Sequence, residues 1–138
     1  MSQSPSTNTD ATGKSPEILI VEDDLVLRKI TSYQLIAAGY AVKGVSGGLE
    51  ALKQIQNSLP GVLILDLGLP DISGQKVVEM LKGASATSKL PLIIYTCSDF
   101  SSERHANLRL GPTRFVTKAR CSNDQLPQIV AEVLACSI

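Results

Sequence analysis

Gly61 to Gly74 reads GVLILDLGLPDISG, and this stretch decides the fold. Val62-Leu63-Ile64-Leu65 is apolar at every position, with turn residues on both sides. A half-buried strand would alternate. An unbroken run suits a strand buried on both faces, as in a parallel sheet covered by helices. The run ends on a lone carboxylate, Asp66, followed by a loop carrying Gly68, Pro70, Asp71, Ser73 and Gly74. Ligands of open α/β sheets bind at the carboxyl ends of the strands. Asp66 is therefore either a functional group or an acid resting harmlessly at the sheet edge, and this stretch alone leaves both readings open.

Upstream, Ile18-Leu19-Ile20-Val21 is a second continuous apolar run, followed directly by Glu22-Asp23-Asp24. Leu25 to Ala38 places Leu27, Ile30, Leu35 and Ala38 at helical spacing, with Gly39 as its C-cap. Tyr40 to Val45 predicts a short strand. Gly48 to Ser58 predicts a helix with Leu49, Leu52 and Ile55 inward, stopped by Pro60. Downstream, Gln75 to Lys82 is helical with Val77, Val78 and Leu81 on one face, and Ser85 to Lys89 is a polar loop. Pro91 opens a third apolar run, Leu92 to Tyr95, ending in Thr96-Cys97-Ser98. Ser101 to Leu110 reads as a weakly patterned helix. Gly111-Pro112 breaks the chain before a short strand, Arg114 to Lys118. Asn123 or Asp124 caps a last helix with Leu126, Ile129, Val130, Val133 and Leu134 on its apolar face.

Strands and helices thus alternate strictly through five units. The fold class is α/β: a doubly wound, five-stranded parallel sheet with five helices, joined by right-handed crossovers. Met1 to Pro16 is rich in Ser, Thr and Asn, carries no large apolar residue after Met1, and is expected to be a mobile tail or linker (residues 1–16) ahead of one domain over 17–138.

Composition narrows the function. Hydrophobic content of 43% and charged content of 19% are those of an ordinary soluble globule. Lys plus Arg equals Asp plus Glu at 13 each, so no global basic field attracts nucleic acid. No apolar run approaches the ~18 residues that span a bilayer, and no signal-peptide core is present. Cys97, Cys121 and Cys136 match neither a disulfide framework nor a zinc spacing and fit a reducing cytoplasm.

In a parallel sheet all the carboxyl ends lie at one edge, so Glu22, Asp23, Asp66, Thr96 and Lys118 are expected to converge. Each has a plain alternative: acids at a helix N-terminus, a β-former at a strand end, a solvated lysine. Together they supply an oxygen-rich site suited to Mg2+, a nucleophile, and two groups able to hold phosphoryl oxygens.

At this point the chain resembles the receiver domain of two-component response regulators. The resemblance rests on ILIVEDD (Ile18–Asp24), LILDLGLPDISG (Leu63–Gly74), LIIYT (Leu92–Thr96) and FVTK (Phe115–Lys118), and covers Glu17 to about Ala135. It implies the flavodoxin-like receiver fold and a Mg2+-dependent transfer of a phosphoryl group to Asp66 from a phosphohistidine on a sensor histidine kinase or phosphotransfer protein. By position it implies Asp23, Asp66 and the Gly68 backbone carbonyl as direct Mg2+ ligands, and Glu22 acting through water. Thr96 would hydrogen-bond the phosphoryl group and Lys118 would pair with it. Phe115 stands where the family has a switch aromatic that changes rotamer as Thr96 moves; ordinary edge packing is the alternative. The resemblance further implies cytoplasmic signalling by protein contact rather than enzymatic turnover of a substrate. Its candidate surface for a downstream partner or a homodimer is the last strand with its flanking helices, roughly Ser101 to Ala135.

Two departures stand out. Ala119 and Arg120 follow Lys118, where the family usually has proline and then an apolar residue. A non-proline cis bond costs roughly 2.5–4 kcal/mol against roughly 0.5–1 for proline, so a trans Lys118–Ala119 bond and a rebuilt loop are expected. Cys97 follows Thr96 where a small residue is usual. The lone His105 reads as a solvated side chain.

The rival readings are a degenerate receiver acting as a phosphorylation-independent interaction module and a phosphatase of the haloacid dehalogenase type. The second wants an acid two residues after the nucleophile, where this chain has Gly68. Only Ser137 and Ile138 follow the last helix, so no output domain and no direct nucleic-acid contact is expected.

Overall fold

The computed structural model describes residues 17–96, 108–117 and 125–136. The tail over 1–16, most of the helix expected over 101–110 with His105, the segment Lys118 to Asp124, and Cys97 fall outside the described residues.

Among the described residues the order is β1 (Glu17–Val21), α1 (Leu25–Ala37), β2 (Ala41–Val45), α2 (Gly48–Asn57), β3 (Val62–Leu65), α3 (Gly74–Lys82), β4 (Leu92–Thr96), β5 (Thr113–Thr117) and α4 (Leu126–Cys136). All strand pairs are parallel, in the order β2-β1-β3-β4-β5. This is the doubly wound sheet expected from the three apolar runs. Leu108 to Leu110, the end of the expected 101–110 helix, are not helical.

The runs lack alternation because both faces of the sheet are covered. Leu19, Val21, Leu63, Leu65, Leu92 and Ile94 point into one core, closed by Ala51 and Ile55 of α2 and by Val77, Val78 and Leu81 of α3. Ile18, Ile20, Val62, Ile64, Ile93 and Tyr95 point into the other, closed by Leu35 of α1 and by Leu126, Val130 and Val133 of α4. Each strand feeds the two cores at alternate residues, as the period of two requires. Tyr95 is buried, which obliges its hydroxyl to find a partner, and no buried side-chain nitrogen or oxygen among the described residues lacks one.

Two helix faces differ from expectation. On α1 the inward side is Thr31 and Leu35 with Leu27 half-buried, while Ile30 is 39% exposed and Ala38 is exposed. Thr31, only 2% exposed, occupies the position that apolar spacing assigned to Ile30. On α2 the inward residues are Gly48, Ala51 and Ile55, and Leu49 is 58% exposed. Small residues hold the sheet side there, which lets the first turn approach α3 closely.

Helix ends follow the local chemistry. Ala38 closes α1, and Gly39 follows it at φ 103, the left-handed conformation glycine takes at least cost. Tyr40 then donates to the Leu35 carbonyl at 3.1 Å and turns the chain into β2. Ser73 caps α3, accepting the Lys76 N–H at 3.1 Å.

Candidate functional site

Strand order reverses between β1 and β3, which sit side by side with connections running to opposite faces. Such a switch point opens a crevice at the strands' carboxyl ends. Both strands end in acids there. The Glu22 N–H donates to the Val45 carbonyl at 3.1 Å, and the Asp66 N–H to the Val21 carbonyl at 3.1 Å. Each acid is thus an extension of the ladder, held by backbone before its side chain does anything.

Glu22 is 5% exposed and Asp66 7%, whereas Asp23 is open to solvent. One carboxylate oxygen from each of the three lies within 4.8 Å of the others. The third acid of the run departs from its neighbours. Asp24 is the N-cap of α1, its Oδ1 accepting the Leu27 N–H at 3.1 Å. Of the three acids, Asp24 is the one that caps the helix by its side chain. Glu22 Oε2 instead accepts the Asp24 N–H at 3.2 Å.

The turn bearing these acids is braced from α1: Arg28 Nη1 donates to the Glu22 carbonyl at 2.7 Å. Across the crevice, Asp66 Oδ1 accepts the Gly68 N–H at 3.1 Å, which orients the carboxylate and draws the loop over it. The Gly74 N–H donates to the Leu67 carbonyl at 3.0 Å and closes that loop.

Thr96 is the last residue of β4, in register with Thr117 of β5; its side chain is outside the described residues, as is Lys118. Phe115 pairs with Ile94, packs half-buried against the α2–α3 core, and has the Arg109 guanidinium 5.8 Å from its ring centroid. The structure thus brings Glu22, Asp23, Asp66 and Gly68 together, and places Phe115 two residues before the carboxyl end of β5.

Asp71, which sequence reasoning treated only as a turn residue, reaches a different helix. Its two oxygens accept the N–H groups of Gly48 and Leu49 at the start of α2, both at 2.9 Å. Those bonds from Leu49 and Gly48, with a third from Ile72, hold its carboxyl below the ordinary 3.8, at about 2. No local signal betrays a contact between residues this far apart in sequence.

Residues 18–131 match the family profile described as "Response regulator receiver domain". The chain belongs to this family. Among curated relatives, this receiver domain is 35% identical over 120 residues to the phosphate regulon transcriptional regulatory protein PhoB of Rhizobium meliloti, covering 87% of the chain and 51% of PhoB. It is 35% identical over 104 residues to the response regulator MprA of Mycobacterium tuberculosis, covering 75% of the chain and 44% of MprA. The receiver domain thus spans about half the length of these relatives. Among solved structures it resembles the signal receiver domain of a signal transduction histidine kinase from Syntrophus aciditrophicus, with a TM-score of 0.77 at 28% identity, covering 88% of this chain and 91% of that one. It also resembles the chemotaxis response regulator CheY4 of Vibrio cholerae, with a TM-score of 0.76 at 26% identity, covering 86% of this chain and 98% of that one. No helix of the described residues is long and apolar enough to cross a membrane.

Three carboxylates this close suit a hard divalent cation. Oxygen donors of this kind, with room for water at the exposed Asp23, match what Mg2+ prefers. The donor set therefore fits the metal that the family resemblance implies.

Proposed function

We propose that this receiver domain takes a phosphoryl group onto Asp66 from the phosphohistidine of a sensor histidine kinase or phosphotransfer protein, in a Mg2+-dependent reaction. A carboxylate oxygen of Asp66 attacks phosphorus, a P–O bond forms, the P–N bond breaks, and the leaving imidazole keeps the electron pair and takes up a proton. The observation that carries this reading is the approach of Glu22, Asp23 and Asp66 to within 4.8 Å at the β1/β3 crevice.

Asp23, Asp66 and the Gly68 carbonyl would hold Mg2+, with Glu22 acting through water. When bound, the ion supplies neutralising charge for the oxygens of the transferring group, the main requirement of phosphoryl transfer. The chain's own part is positioning. The Gly68 N–H aims the Asp66 carboxylate, the ladder bond to Val21 fixes its backbone, and Arg28 holds the opposing acidic turn in place. Thr96 and Lys118, by position in the sequence, would bind the phosphoryl oxygens, and Phe115 would follow Thr96 as the switch.

The phosphodonor protein has a surface to meet. Leu25, Val26, Tyr33 and Ile36 of α1 are all exposed, and they begin two residues after Asp23. Leu25, Tyr33 and Ile36 line one shallow groove on this helix together with Arg28, Lys29 and Ser32. An exposed apolar face of this kind beside a pocket suits a protein contact. The downstream partner, or a second copy of the chain, would read the last strand and its flanking helices, in the cytoplasm and through protein contact rather than nucleic acid.

Incubating the protein with a small phosphodonor such as acetyl phosphate, with and without Mg2+, tests the reading by intact-mass spectrometry. One added phosphoryl group with Mg2+, and none after chelation or in Asp66→Asn, is expected. Undiminished phosphate on Asp66→Asn would contradict it. No uptake by the parent would favour the phosphorylation-independent interaction module.

A further inference from the structure

The loop between β3 and α3 carries both Asp66 and Gly68, and it is fastened at both ends: by the Gly68 N–H on Asp66 Oδ1 and by the Gly74 N–H on the Leu67 carbonyl. Little slack remains at the α3 end. A Cβ on Gly74 would stand 2.6 Å from the Asp66 carbonyl oxygen and 2.8 Å from Leu67 Cα, both backbone atoms. Between these points Leu69 and Ile72 pack half-buried against the core, and one polar side chain adds a directed tie. Asp71 crosses to α2 and receives the Gly48 and Leu49 N–H groups, one on each oxygen.

The first N–H groups of a helix have no partner within it. In α2 the residue before the helix, Gly47, offers no side-chain cap, so a residue from the phosphoacceptor loop supplies the cap instead. The seat is shaped for that loop. A Cβ on Gly47 would lie 2.9 Å from Asp71 Oδ2, and one on Gly48 would lie 2.6 Å from Ile72 Cγ1. The two adjacent glycines are what let the loop dock on the helix end.

We propose that Asp71 is a positioning residue for the phosphoacceptor pocket: by pinning the apex of the β3–α3 loop to the N-terminus of α2, it fixes where the Asp66 carboxylate and the Gly68 carbonyl stand, and it ties α2 to the state of that pocket. This rests on the reading of Asp66, Asp23 and Gly68 as Mg2+ ligands. With the pin in place the loop is ordered before the metal arrives. Without it, binding must also order the loop and is weakened by that cost. Because coupling between two sites is reciprocal, Mg2+ must in turn tighten the Asp71 bonds to α2.

The test uses 15N-labelled protein and Mg2+ alone, with no phosphodonor. The Gly68 amide shift reads metal affinity, and hydrogen exchange at the Gly48 and Leu49 amides reads the pin. In Asp71→Ala both amides should lose protection and the Mg2+ Kd should rise about tenfold or more, in the range seen when groups supporting metal ligands are removed. Asp71→Asn, which keeps one carbonyl acceptor, should fall between. Removing Asp71 also removes a negative charge, so Gly47→Ala is the decisive companion. It keeps the carboxylate, crowds Oδ2 out of its seat, and should weaken Mg2+ in the same way. Should Asp71→Ala fail to fold, Asp71→Asn and Gly47→Ala carry the test. If protection is lost while Mg2+ affinity stays within about twofold of the parent in the variants that fold, the pin is structural only and the proposal is overturned. A parent that binds no Mg2+ overturns the ligand reading itself, and the proposal with it.

Discussion

Arg28, one turn into α1, donates from Nη1 to the backbone carbonyl of Glu22 at 2.7 Å. The bond runs from helix to turn across the base of the acidic run, so the residue that braces Glu22 and Asp23 is not itself acidic. Its stem lies over β2, where a Cβ on Gly44 would stand 3.0 Å from Arg28 Cδ.

Arg28→Ala should therefore cost about 1.5–3 kcal/mol, the usual range for a hydrogen bond with a charged partner. Urea denaturation reads the loss. Arg28→Lys should recover part of it, because a shorter point donor replaces a planar fork. Unchanged stability in Arg28→Ala would show that the turn holds without its brace.

Asp71 makes stability depend on pH in a known direction. Its folded pKa of about 2 lies below the ordinary 3.8, so the folded state favours the ionised form. The contribution is complete above the ordinary value and is lost as pH falls toward about 2. The difference in Tm between the parent and Asp71→Asn should be constant from neutral pH down to about 5 and shrink below it. Asp71 is exposed, so salt should reduce the difference. A difference that grew on acidification would contradict the assignment.

Much of the fold was legible because burial on both faces leaves an unmistakable run, as in Ile18–Val21 and Val62–Leu65. The helix faces were less so. Thr31 turns inward and Ile30 outward, since the sheet side of a helix is set by the angle at which it packs, and apolar spacing alone could not fix that angle. Leu49 misled for a related reason: the close approach of α2 needed Gly48 and Ala51 on the inner side. At the site, the position of Asp66 was readable from one strand end. The division of labour among Glu22, Asp23 and Asp24 was not, because capping and pocket geometry draw on the same residue type. The Asp71 contact joins residues far apart in sequence and left no trace in local pattern.

The corrected α2 face can be checked directly. Ile55 is 5% exposed and Leu49 58%. Ile55→Ala should cost about 2–5 kcal/mol. Leu49→Ala should stay within about 0.5 kcal/mol, as surface changes do. Chemical denaturation of the two variants separates them, and equal losses would restore the inward placement of Leu49.

Gly74→Ala should destabilise by about 1–3 kcal/mol, because the added Cβ meets backbone that cannot swing away. The strain falls on the Asp66 carbonyl, so the same variant should slow phosphoryl uptake more than its loss of stability explains. Normal uptake in a folded Gly74→Ala protein would show that the loop tolerates displacement.

The central claim is that Asp66 is the phosphoacceptor, and locating the phosphoryl group tests it most directly. After reaction with acetyl phosphate and Mg2+, borohydride reduces an aspartyl phosphate to homoserine, and peptide mass spectrometry finds where. The account predicts homoserine at position 66 alone, and none when Mg2+ is withheld. A reduced residue at 22, 23 or 71 instead, or phosphate that survives on a serine or threonine with position 66 unmodified, would contradict it.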